Sequence, residues 1–67
     1  MSIQVTINGD MTVLEEIETV AELLGYLRAD GRIAVEINGE IIPRSGFAQH
    51  TVRDGDRIEV VCAIGGG

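Results

Sequence analysis

A chain of 67 residues makes one small domain with a thin core. Its formal net charge of −6 leaves no basic patch for a phosphate backbone, which argues against nucleic acid and for a protein partner with a basic docking surface. One cysteine, Cys62, allows no intrachain disulfide, and with the single His50 it falls short of a four-ligand zinc site, so neither a metal nor a bound cofactor is expected.

Ile3, Val5 and Ile7 alternate with Gln4, Thr6 and Asn8, the period of a half-buried strand. Asn8-Gly9-Asp10 is a tight-turn signal, because Asn and Gly tolerate positive φ. Residues 11–15 then read as the return strand. Thr19 and Glu22 have the spacing of a capping box that opens a helix. Val20, Leu23, Leu24 and Leu27 make one apolar stripe on that helix. Arg28 suits the negative end of the helix dipole, and Gly31 is the expected stop. Val35 and Ile37 flank Glu36 in a third strand, followed by a second Asn-Gly turn at Asn38-Gly39. A short strand at 40–42 is halted by Pro43, which has no N–H for a ladder. Residues 44–52 read as irregular, with one helical turn anchored by Phe47. Asp54-Gly55-Asp56 is a third turn. The last strand spans 57–62, with Ile58, Val60 and Cys62 on one face and Arg57, Glu59 and Val61 on the other.

One apolar stripe on a helix and one apolar face on a sheet predict a two-layer α+β domain. The order β-β-α-β-β-β lets the last strand return parallel to the first in the sheet centre. That is the ubiquitin-like β-grasp: a mixed sheet of about five strands on one helix. The expected division is a β-grasp domain at 1–62 and a flexible C-terminal glycine tail at 63–67.

Gly65-Gly66-Gly67 closes the sequence. Three glycines after a final strand serve no rigid fold, since each loses the most backbone entropy on ordering. The expectation is a probe that enters something narrow, with the α-carboxylate of Gly67 as the reactive group. Fully extended, residues 63–67 reach roughly 17 Å.

The stretch Asn38-Gly39-Glu40-Ile41-Ile42-Pro43-Arg44, then Ala48-Gln49-His50, Asp54-Gly55-Asp56-Arg57-Ile58-Glu59 and Ile64-Gly65-Gly66-Gly67, resembles the ThiS family, the sulfur carriers of thiamine biosynthesis. The likeness covers essentially the whole chain and is densest from Asn38 onward. Phe47 departs from it, standing where relatives often place Trp. The resemblance implies that an E1-like, ThiF-like adenylyltransferase activates Gly67 with ATP. A persulfide donor would then convert it to a thiocarboxylate, and a ThiG-like thiazole synthase would receive the sulfur. Ile64, Gly65 and Gly66 would thread into the partner, and ATP would be the partner's substrate.

Val61 points outward just before the tail and is a candidate docking residue. Cys62, by alternation on the buried face, reads as a small apolar side chain and not as a nucleophile. His50 reads as a loop anchor. Glu15, Glu16 and Glu18 lie before the helix, where acids suit its dipole. No catalytic constellation is evident, so the chain is not expected to be an enzyme. No apolar run reaches the length of a membrane span, and the start lacks a signal-peptide layout, so a cytoplasmic protein is expected. Two carrier-like alternatives stay open: a carrier for molybdopterin or another sulfur-containing product, and a ubiquitin-like modifier forming isopeptides. A third is a plain binding module with an incidental tail.

Overall fold

The computed structural model describes residues 1–63. Strands β1 (Ser2–Ile7) and β2 (Asp10–Glu15) form an antiparallel hairpin, with Ile7 opposite Asp10 and Ser2 opposite Glu15. The connecting turn places Asn8 at φ 50° and Gly9 at φ 89°, the doubly left-handed geometry that matches strand twist and that Asn-Gly adopts at low cost. Strands β3 (Arg32–Ile37) and β4 (Glu40–Ile42) repeat the device, with Asn38 at φ 52° and Gly39 at φ 85°. A single 3-10 turn, Arg44–Gly46, follows Pro43, and the half-buried Phe47 caps it and packs against the core.

The last strand, β5 (Arg57–Ala63), runs one residue past the predicted end at Cys62. It lies parallel to β1 and antiparallel to β3, giving the sheet order β2-β1-β5-β3-β4. The parallel central pair is as the element order predicted. Helix α1 (Val20–Tyr26) packs its apolar stripe on one face of this sheet through the buried Val20, Leu23 and Leu24. From the sheet come Val5, Ile7, Leu14, Val35, Ile37, Ile42 and Ile58. Among the described residues, no helix is long and apolar enough to cross a membrane.

The capping box at Thr19 is present in both directions. The Glu22 N–H donates to Thr19 Oγ1 at 3.2 Å, and the Thr19 N–H donates to Glu22 Oε1 at 3.3 Å. The helix end departs from expectation. It stops at Tyr26 with Leu27 as its cap, and the left-handed residue after the cap is Arg28 at φ 55°, well before Gly31. The Arg28 N–H donates to Gly25 C=O at 3.1 Å and the Ala29 N–H to Leu24 C=O at 3.0 Å, the bond pair of a Schellman ending. Half-buried Leu27 and Ala29 turn back onto the core there, so packing sets the stop in place of glycine. A side chain in the left-handed region costs about 1–2 kcal/mol, part of which glycine's extra unfolded-state entropy offsets. Arg28→Gly is therefore expected to stabilise the fold by about 1 kcal/mol, raising the midpoint of a thermal melt by roughly 4–8 °C. A lowered midpoint would show that Arg28 makes a compensating contact.

A second departure concerns Cys62. Register puts it opposite Ile33, on the same face as Ile58 and Val60, yet it is exposed. Burial along that face of β5 falls from Ile58, buried, to Val60, half-buried, to Cys62, exposed.

Candidate functional site

The strand that leads into the glycine run is β5, and the molecule is built to hold it. Ile58 is fully buried, between Ile7 of β1 and Ile37 of β3. Two asparagines grip its backbone from opposite sides. Asn38 Oδ1 accepts from the Arg57 N–H at 2.9 Å, and Asn38 Nδ2 donates to Asp56 Oδ1 at 2.9 Å. Asp56 is buried, and its second oxygen accepts from the Arg53 N–H at 2.8 Å, so both carboxylate oxygens are satisfied. Asn8 Oδ1 accepts from the Val60 N–H at 2.8 Å, and Asn8 Nδ2 donates to Val60 C=O at 3.1 Å. From sequence both asparagines are turn formers, and Asn38 also opens the stretch that resembles the ThiS family. Their side chains do a second task that only the register reveals.

Where β5 emerges from this grip it presents Val61, 63% exposed, on the sheet face away from the helix. Cross-strand pairing sets Val61 opposite Ala34, and Glu36 between Ile41 of β4 and Glu59 of β5. Ala34, Ile41 and Val61, with Val35, Glu36 and Glu59, line an open depression. Ile41 is 74% exposed. The centre of this face is thus apolar and its side acidic. Glu36 and Glu59 stand directly opposite as like charges, an arrangement that costs stability in a sheet. The one ion pair among the described residues lies elsewhere, between the Met1 amino group and Glu16 at 2.6 Å.

Val61, expected to face outward beside the tail, does so. Ile64, Gly65, Gly66 and Gly67, the expected inserting and reacting residues, lie outside the described residues, as does most of the tail expected over 63–67. His50 sits half-buried in its loop; its N–H donates to Gly46 C=O at 2.9 Å and its C=O accepts from the Val20 N–H at 3.0 Å. Among the described residues no group of His, Cys, Asp and Glu has the arrangement of a metal site. Ala34 and Ile41 were missed. Their alternation was readable, but their meeting with Val61 depends on strand order and register.

Among the described residues, a mixed five-stranded sheet packed on one helix, with the last strand central and parallel to the first, defines a ubiquitin-like β-grasp domain. The ThiS family model matches residues 3–67, and the chain belongs to the ThiS family. A crystal structure of the thiamine biosynthesis protein ThiS from Geobacter metallireducens superposes with a TM-score of 0.80 at 36% identity, over 97% of this chain and all of that one. The sulfur carrier protein ThiS of Escherichia coli is 45% identical over 51 residues, 75% of this chain and 77% of that protein. A thiazole synthase of Paramagnetospirillum magneticum is 48% identical over 65 residues. The match takes in 96% of this chain but only 20% of that protein.

Proposed function

We propose that this chain is a sulfur carrier for thiazole formation in thiamine biosynthesis, a substrate of enzymes and not itself one. The observation that carries the reading is a β-grasp domain of the ThiS family whose last strand, β5, is followed in sequence by Ile64-Gly65-Gly66-Gly67. In this reading the Gly67 carboxylate, ionised at neutral pH, attacks the α-phosphorus of ATP in an E1-like adenylyltransferase and pyrophosphate leaves. Sulfur from a persulfide donor then displaces AMP at the acyl carbon. A second thiol cleaves the resulting acyl disulfide, leaving a thiocarboxylate at Gly67. A thiazole synthase takes up that sulfur. The domain supplies the carboxyl group and the address, and its partners supply catalysis.

The segment of a thiazole synthase that resembles this chain favours a thiazole synthase as the acceptor over a molybdopterin-forming enzyme. The face around Val61 is the proposed dock. Its apolar centre beside Glu36 and Glu59 suits a partner surface with an apolar projection and basic neighbours. Val61→Asp is expected to weaken binding to the adenylyltransferase about tenfold, the ~1.4 kcal/mol of a moderate interface contact. Unchanged affinity by calorimetry would remove Val61 from the dock.

The deciding experiment is intact mass spectrometry of the chain, with Gly67 as its C-terminus, after incubation with ATP, a ThiF-like adenylyltransferase and a sulfide source. The expected result is a mass gain equal to replacing one oxygen by sulfur, mapped to Gly67. Isopeptide conjugates in place of that product would favour the modifier reading. An unchanged mass with an active enzyme would favour a binding module.

A further inference from the structure

The parallel ladder between β1 and β5 is short. Its Cα partners are only Thr6 with Arg57 and Ile7 with Ile58. The Thr6 N–H donates to Asp56 C=O at 3.0 Å and the Asn8 N–H to Ile58 C=O at 2.8 Å. At Asn8 the chain turns away into the β1–β2 hairpin, while β5 continues to Ala63 alongside β3 alone. The Asn8 side chain extends the ladder by one rung. A primary amide carries the same donor and acceptor as a peptide group, and Asn8 uses both on one residue, Val60, at 2.8 and 3.1 Å. The next residue is the outward-facing Val61.

We propose that Asn8 is a positioning residue for activation: its amide stands in for the missing β1 backbone, holds Val60, and so fixes the direction in which the glycine-bearing segment leaves the sheet. The proposal rests on the sulfur-carrier reading above. A partner must receive the Val61 face and the terminal carboxyl group together. A strand end held by one neighbour must be ordered on binding, which weakens binding. Once bound, the reacting groups have the same geometry with or without the rung. The loss therefore falls on KM and spares kcat.

The test is Asn8→Gly, which removes the side-chain amide while glycine still adopts the left-handed turn. Hydrogen exchange by NMR should show the Val60 amide losing at least about tenfold protection. KM for adenylylation should rise about tenfold with kcat unchanged; tenfold is ~1.4 kcal/mol, the net worth of one or two hydrogen bonds. Asn8→Asp keeps the acceptor for the Val60 N–H and loses the donor, so its KM should fall between. A merely structural role is separated by Asn8→Gly combined with Arg28→Gly, which restores thermal stability: positioning predicts that the raised KM persists. Recovery of the wild-type KM in that double variant, or a wild-type KM in Asn8→Gly alone, overturns the proposal. Failure of the wild-type chain to be adenylylated takes it down together with the carrier reading, and is recognised because it precedes any variant.

Discussion

Gly67→Val is expected to abolish adenylylation while the domain stays folded. In the proposed activation the reacting atoms are the Gly67 carboxylate oxygen and, in the next step, its acyl carbon. A branched Cβ beside that carbon crowds the approach of ATP's α-phosphorus and then of the sulfur nucleophile. A displacement of about 1 Å in a reacting group costs about a hundredfold in rate, so activity should drop by at least that factor. Folding should be indifferent. Among the described residues the buried core runs from Val5 to Ile58 and is closed by the helix and both hairpins. The measurement is a pyrophosphate-release assay paired with an amide NMR spectrum. Adenylylation at the wild-type rate would show that the site tolerates a side chain at the terminal position, and the argument for glycine there would fail. A lost fold would place the tail within the structural core.

What could be read ahead of the structure was local chemistry. Asn8-Gly9 and Asn38-Gly39 announce their turns because two adjacent residues carry the left-handed geometry between them. Thr19 and Glu22 announce the helix start because the box closes within four residues. The helix end was misjudged for the complementary reason. Its left-handed position is held by Arg28, under the packing of Leu27 and Ala29 on the core, and no local signal marks it. Cys62 shows the limit of periodicity. Alternation assigns a residue to a face but says nothing of how far the opposing layer extends along it. The candidate site divides the same way. Val61 could be singled out from its strand and its neighbours. The depression it shares with Ala34 and Ile41 could not, nor could the grip of Asn8 on a residue 52 positions away. Such contacts exist only after strand order is set. The parallel β1–β5 pairing that sets it joins the two ends of the described chain.

That pairing leads to the second large effect, Ile58→Ala. Ile58 is fully buried and faces Ile7 on one side and Ile37 on the other, so it joins the β1–β2 hairpin to the β3–β4 hairpin under helix α1. Truncating a buried isoleucine to alanine costs about 2–5 kcal/mol, the upper part arising where the cavity cannot collapse. Collapse is hindered here, because both neighbours are fixed in ladders. A domain of this length has roughly 3–10 kcal/mol of stability in all. The expected loss is therefore about 3–4 kcal/mol, read as a fall of roughly 15–25 °C in the thermal midpoint. Ile58→Val should lose only about 0.5–1.5 kcal/mol. A substitution to alanine at exposed Val61, three residues nearer the tail, should change stability by less than about 0.5 kcal/mol. The contrast separates two uses of one strand: Ile58 holds β5 in the sheet, and Val61 stands on the exposed face proposed as the dock. An Ile58→Ala variant within 1 kcal/mol of the parent would mean that the hairpins are joined through other residues. The course of β5 would then not depend on the core beneath it.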